Sequence, residues 1–235
     1  MRIKFYILIL VVCCTINRAP AQQTVFNVPS ADVTEKNAIF LQQESQFTPW
    51  GNNPNWLGTH YTAYGIGHNT ELDATLFNVS APASHNISLG LGFKSAMPIA
   101  KLKEKYPERE LKLTVGSEIL VSLQGHGVGN WSYAHLSGRL PVTKTRITSG
   151  ISIGTHHIFG RDAVAYIMAV EQPVTKKLNI IADWYSGKEH YAGFLIAGLS
   201  YELPKDTTLY LGYQIPNDPQ NGQKGFVVEI SKIIK

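Results

Sequence analysis

The sequence predicts an all-β protein that folds as a single closed antiparallel up-and-down transmembrane β-barrel of about twelve strands. Three observations lead to this prediction. The N-terminus has the pattern of a secretory signal peptide. The residues that follow contain no apolar run near the length of about 20 that a membrane-spanning helix needs. Apolar and polar side chains alternate with a period of two, as in strands that face lipid on one side and a barrel interior on the other.

The signal peptide is predicted from the order of its parts. Arg2 and Lys4 precede an uncharged apolar run at 5–14, and a polar stretch then ends in an Ala-Pro-Ala motif at 19–21. This motif fits the small-residue requirement of a signal peptidase, so we expect a mature chain that begins at Gln22.

The composition of the mature part excludes several classes of protein. Both cysteines lie in the signal peptide, so disulfide bonds do not hold the mature fold. The whole chain has a formal net charge of +4, but three of its cations are in the signal peptide and the mature part is near +1, which leaves no basic surface for nucleic acid. Charged residues make up 16% of the chain, below the usual quarter for a soluble domain.

The alternation predicts an even number of strands, as single-chain bacterial barrels require. The division of the chain is a signal peptide at 1–21, an N-terminal extended segment at 22–32 and the barrel at 33–235. The segment 163–170 is apolar on both faces, and the lipid face of 131–140 is not evident. The predicted strands lie at 34–46, 55–66, 69–79, 85–95, 109–124, 129–140, 143–156, 162–172, 175–186, 190–203, 206–216 and 224–234.

The connections alternate between two kinds. Similar proline-containing turns occur at 140–144, 172–176 and 203–207, spaced 32 and 31 residues apart. Proline at a strand exit stops ladder pairing and presets the turn, and short turns are typical of the periplasmic end of such barrels. The opposite ends should then face outward, and they carry longer segments rich in Gly, Asn and Pro.

Two motifs resemble a known group of proteins. Asn-Val-Pro-Ser-Ala-Asp-Val-Thr-Glu-Lys at 27–36 and Tyr-Gly-Ile-Gly-His-Asn-Thr-Glu-Leu at 64–72 resemble the opening of uncharacterised bacterial outer-membrane β-barrel proteins of porin-like or transporter-like type. The resemblance implies a barrel in the outer membrane, inserted by the outer-membrane assembly machinery. The sequence departs from this pattern at 233–235, where the last strand lacks a terminal aromatic residue.

The candidate functional residues are charged side chains on the interior face and histidines at the outward ends. The interior charges would either select solutes in a polar lumen or pair with one another in a closed one. The histidines are candidate metal ligands, although no tight ligand spacing joins them. The lumen candidates are Lys94, Lys112, Glu118, Arg146 and Asp183, and the metal candidates are His126, His156, His157 and His190.

The sequence favours a small porin-like solute channel or a structural component of the envelope, with outer-membrane lipid and small solutes as partners. No cofactor is predicted. One alternative is an outer-membrane lipid-modifying hydrolase, for which Ser122 with His126 or Ser186 with His190 could be drawn together, although no nucleophile motif surrounds either pair. The other alternative is a soluble secreted β-barrel that binds a ligand. The interior is partly apolar, so a wide aqueous channel is not expected.

Overall fold

The computed structural model describes residues 24–50, 55–81, 87–99, 104–220 and 222–235. These residues include twelve strands, a short 3₁₀ helix at Pro107–Arg109 and a helical turn, α1, at His156–Phe159. In this part of the chain no helix has the length and apolar character needed to cross a membrane. The strands are β1 Ile39–Thr48, β2 Asn55–Gly67, β3 Thr70–Ala81, β4 Ser88–Pro98, β5 Lys112–Ser122, β6 Val128–Arg139, β7 Arg146–Gly154, β8 Val164–Pro173, β9 Leu178–Tyr185, β10 Phe194–Leu203, β11 Thr207–Pro216 and β12 Gly225–Ile234.

The sheet closes on itself. Each strand pairs antiparallel with its neighbours in sequence, and β1 pairs with β12 from Ile39 opposite Ile234 to Phe47 opposite Phe226. Closure removes the free edges that would otherwise leave backbone groups without partners. The predicted twelve-stranded up-and-down barrel is confirmed.

The two faces of the strands follow the predicted parity. In β5 the odd-numbered Ile119 is 59% exposed on the outer face, whereas the even-numbered Thr114 and Glu118 are buried inside. The strand that is apolar on both faces, β8, points Tyr166 outward and Ile167 inward. A continuous apolar outer face is what a lipid-facing barrel requires.

The barrel has a turn end and a loop end. The turn end holds the start of β1, the end of β12 and short turns in which Lys144, Lys205 and Asp206 have positive φ values. The loop end carries most of the longer connections, among them the loop with α1, whereas the connection from Pro98 to Lys112, which contains the 3₁₀ helix, lies at the turn end. β1 starts at Ile39 and not near 34, because Asn37 turns with a φ of 66° and donates its N–H to Gly65 O before the strand begins.

Residues 24–38 enter the barrel, and we call them the plug segment. Val25, Phe26 and Val28 are fully buried in one cluster with interior side chains that include Ile167 and Ile181. This cluster explains why β8 and β9 carry apolar side chains on their inner faces, since those side chains pack against the plug segment and not against water. Next to β8 and β9, the interior of the described barrel is therefore filled by the plug segment and is not open to water.

Candidate functional site

The plug segment is held by carboxylates that project from the barrel wall. Asp183 in β9 accepts hydrogen bonds from the backbone N–H groups of Phe26 at 2.9 Å and Val28 at 2.7 Å, both through Oδ2. Glu71 in β3 accepts the N–H of Thr34 at 2.6 Å. A carboxyl group accepts stronger hydrogen bonds in its ionised form than a neutral acceptor does. Between Phe26 and Thr34, the plug segment is thus anchored to wall side chains.

An ionic network anchors the plug segment at the turn end. Arg146 in β7 donates to Asp32 of the plug segment at 2.7 Å and to both carboxylate oxygens of Glu171 in β8. Lys112 in β5 donates to Ala31 O at 3.0 Å. Burial by itself would raise the pKa of Asp32, but the adjacent charge of Arg146, with a smaller contribution from Lys112, holds that pKa well below its usual value. Asp32 is therefore ionised in its contact with Arg146.

The structure places all five predicted lumen residues on the inner side of the wall. Asp183, Lys112 and Arg146 contact the plug segment, and Lys94 forms a 3.1 Å ion pair with Glu71. A role for them in solute selection stays a prediction. Sequence reasoning missed other buried acids on the same face, although the alternation of their strands would have identified them. These are Glu44, Glu71, Asp73, Glu171 and Glu229.

A chamber lies on the loop side of the plug segment. The chamber and its opening to solvent together span about 850 Å³ of empty space, and Thr24 and Phe26 of the plug segment contribute to its lining. Aromatic rings form much of its wall, and Trp131 and Tyr133 on β6 have ring centroids 4.9 Å apart. Space for Tyr133 exists because Gly116 lies opposite it, where a Cβ atom would be 2.3 Å from the ring.

Glu118 gives the chamber wall a carboxylate. It lies directly opposite Trp131 in the pairing of β5 with β6, so the two side chains share the inner face. Thr75 donates a hydrogen bond to its Oε1 at 3.1 Å, while Oε2 has no hydrogen-bond partner among the described residues. The side chain is 2% exposed and lines the chamber, and the free oxygen is a buried acceptor that lies over Gly90 of β4.

Two loops, at 155–163 and 186–193, fold over the chamber, and we call them the lid loops. They are joined by the hydrogen bond from Tyr191 N–H to Phe159 O at 3.0 Å. Phe159 lines the chamber, and so does Tyr191, whose hydroxyl donates to the side-chain oxygen of Asn78. Asn78 lies at an irregularity in the pairing of β3 with β2 and has a φ of 63°. A bulge of this kind redirects a side chain, here towards the lid.

His190 is buried in the lid. Its ring stacks on Tyr185 with centroids 5.3 Å apart, and its Nδ1 accepts the N–H of Ala192 at 3.0 Å. Burial lowers the pKa of His190 to about 4, against the opposing effect of Asp162. The imidazole is therefore neutral at pH 7 and acts as an acceptor that shapes the loop.

The remaining metal candidates are not brought together with His190. His126 and His156 are exposed in two different loops, and the side chain of His157 lies outside the described part of the structure. Within the described residues no three His, Cys, Asp or Glu side chains form a group that could hold a metal ion.

The two serine–histidine pairs have other partners. Ser122 Oγ accepts the backbone N–H groups of Gln124 and His126, at 3.2 and 3.1 Å, and so caps the loop after β5. Ser186 Oγ accepts the N–H of Tyr166 at 2.8 Å. The hydroxyl groups of Ser122 and Ser186 are thus hydrogen-bond acceptors for backbone N–H groups at the loop end.

Solved structures with a similar fold are bacterial outer-membrane proteins. Omp33 of Acinetobacter baumannii matches 86% of this chain and 100% of its own, with a TM-score of 0.51 and 11% identity. The KdgM porin, solved in complex with disordered oligogalacturonate, matches 83% of this chain and 98% of its own, with a TM-score of 0.48 and 11% identity. No family model and no curated protein matches the sequence. The predicted resemblance to outer-membrane barrels is confirmed for the fold.

Proposed function

We propose that this protein is an outer-membrane channel for small solutes, in which the chamber is the entry site and the plug segment closes the path to the turn end. The observation that carries the proposal is the way in which the plug segment is held. Residues 26–34 are anchored by side chains such as Asp183 and Arg146, so this part of the segment can leave the lumen without breaking a strand ladder. A barrel with a purely structural role would not require an interior segment that can leave the lumen.

The outer surface supports a location in lipid and disfavours the soluble alternative. Large apolar side chains such as Leu91, Ile119 and Tyr166 are each more than half exposed. Water would make so extended an apolar surface prone to association, whereas a bilayer solvates it.

The topology supports an orientation. Short turns in bacterial barrels face the periplasm, so the lid loops would face the exterior. If the signal peptide is cleaved at the predicted site, the plug segment begins two residues after the new N-terminus at Gln22. Such a short N-terminal arm can move without dragging other parts of the chain.

Conductance in planar bilayers tests the proposal. The mature protein should show rare openings. The Asp183→Ala variant should open more often, because the backbone N–H groups of Phe26 and Val28 lose their carboxylate acceptor. A net loss of about 2 to 3 kcal/mol predicts a rise in the ratio of open to closed time of about 30-fold to 150-fold. Glu108→Gln, which changes a surface acid in the loop after β4, serves as the control and should behave like the unmodified protein.

Folding is checked for each variant by its heat-modifiable migration on a gel. A folded Asp183→Ala protein that conducts no more than the unmodified one would contradict the proposal. The result would favour a closed envelope component instead.

A further inference from the structure

We propose that the chamber binds an organic cation, either a quaternary ammonium or a protonated amine, between the carboxylate of Glu118 and the aromatic wall. The chamber is the entry site of the proposed channel, and the organic cation would be the class of solute that enters there. Binding of the cation does not require that the protein is a channel; only its passage through the barrel does.

The charge of the chamber lining is the first support. The charged side chains that line it are Glu44 and Glu118, both acidic, and the described lining contains no lysine or arginine. The lumen cations Lys94, Lys112 and Arg146 all have carboxylate or carbonyl partners near the turn end. The two acidic side chains of the chamber lining therefore have no cationic partner among these groups. A positively charged ligand would stabilise the ionised form of a buried carboxyl group.

The second support is the unused acceptor on Glu118. Its Oε2 is buried without a hydrogen-bond partner in the described structure, although Oε1 is held by Thr75. The hydroxyl of Thr75 fixes the carboxylate, so the free oxygen has a defined position at the wall. A ligand that carries a positive charge, with or without an N–H donor, would satisfy it.

The aromatic wall decides between an organic and a metal cation. Trp131, Tyr133, Phe159 and Tyr185 line the chamber. Their rings follow one another with centroid distances of 4.9 to 6.3 Å, with the ring of His190, which is not part of the lining, between Phe159 and Tyr185. Faces of Trp and Tyr attract alkylammonium groups, and cages of such rings recognise quaternary ammonium ligands. A metal ion would instead need several converging carboxylate or imidazole ligands, and the described residues contain no such group.

A charge-matched pair of probes tests the inference. Choline and 3,3-dimethylbutan-1-ol have nearly the same shape, but only choline is charged. Calorimetric titration of the full mature protein, in a maltoside detergent that has no ammonium group, should show binding of choline and at least about tenfold weaker binding of the alcohol. Glu118→Gln keeps the side-chain volume and should weaken choline binding by about tenfold or more.

Two further variants keep the test decisive. Trp131→Leu removes one ring of the aromatic wall and should also weaken choline binding, whereas Glu108→Gln should leave it unchanged. If Glu118→Gln does not show heat-modifiable migration, Glu44→Gln takes its place, with the same expected direction.

Equal affinity for choline and the alcohol would overturn the inference, because the site would then be merely apolar. Absence of choline binding to the folded protein would overturn it as well. Choline binding without conductance in Asp183→Ala would contradict the channel and leave the cation site standing, so the two proposals fail separately.

Discussion

Tyr191 in a lid loop donates a hydrogen bond to the side chain of Asn78 in β3, across the mouth of the barrel. The loop that carries Tyr191 leads into β10, which is separated from β3 by β2, β1, β12 and β11 in the closed sheet. The bond thus links two nearly opposite walls. It also places Tyr191 above the chamber, whereas Tyr201 at the other end of the same segment faces outward.

We expect Tyr191→Phe to increase opening of the lid. Loss of one partly exposed hydrogen bond is worth about 1 kcal/mol, which corresponds to a roughly fivefold rise in the open population. Hydrogen exchange of the backbone at 186–193 measures this opening. Tyr201→Phe makes the same chemical change on the outer face, and it should leave exchange in the lid unaltered; an equal effect of both variants would argue against the link.

Acid should open the lid through His190. The pKa of His190 in the folded protein is about 4, below the ordinary value near 6.5, so an opened lid binds more protons between these values. Stability of the closed lid is therefore full above pH 6.5 and falls as the pH drops towards 4, by about 3 kcal/mol at most. Protonation of Nδ1 also removes the acceptor for Ala192 N–H.

Protection factors for 186–193 at pH 5 and pH 7.5 check this prediction, because they correct for the intrinsic pH dependence of exchange. A His190→Gln variant should lose most of the difference between the two pH values. If the unmodified protein shows equal protection at both, His190 does not control the lid.

Gly65 should be needed for the base of the plug segment to dock. A Cβ atom at Gly65 would lie 2.0 Å from Glu35 O and 2.4 Å from Thr34 O, both backbone atoms that have little freedom to move. We expect Gly65→Ala to destabilise the barrel by about 1 to 3 kcal/mol, seen as a lower temperature for loss of the compact gel band. Gly58→Ala on the same strand meets the Trp56 ring at 3.0 Å and should shift this temperature less.

Removal of the Arg146 guanidinium should leave the carboxylates of Asp32 and Glu171 without the cation that bridges them, and only Lys112, 3.9 Å from Asp32, would remain nearby. Breaking a buried ion pair from one side costs about 3 to 5 kcal/mol, so Arg146→Met should unfold at a clearly lower temperature. Arg139→Met removes an ion pair with Glu110 at the surface and should cost about 1 kcal/mol or less.

The pH dependence of the Arg146→Met variant has a defined sign. In the unmodified protein the pKa of Asp32 is lower in the folded than in the unfolded state. Ionised Asp32 therefore stabilises the folded protein above pH 4, and this contribution is lost as the pH falls below that value. Without Arg146 the two carboxylates repel each other when ionised, so mild acid should partly restore the variant. Equal stability of the variant at pH 4 and pH 7 would show that these charges are not coupled.

The sequence alone was sufficient to predict a closed barrel of about twelve strands and the face of most side chains, but not the lipid face of 131–140 or the orientation of 163–170, which is apolar on both faces. Parity fixes the face, because successive side chains of a strand point to opposite sides and one side meets lipid. Residues such as Glu118 and Asp183 could therefore be assigned to the interior from their own strands. The same reasoning was available for Glu44 and Glu229, which alternate in the same way.

Only the tertiary structure decided what fills the interior. The plug segment meets Asp183 across more than 150 residues of sequence, and Tyr191 meets Asn78 across 113. The alternation of side chains along a strand shows which face each one occupies, but not which distant segment packs against it. Many different interior segments are compatible with the same alternation. The plug segment, the chamber and the lid thus follow from closure of the sheet, because closure brings residues that are distant in sequence into contact.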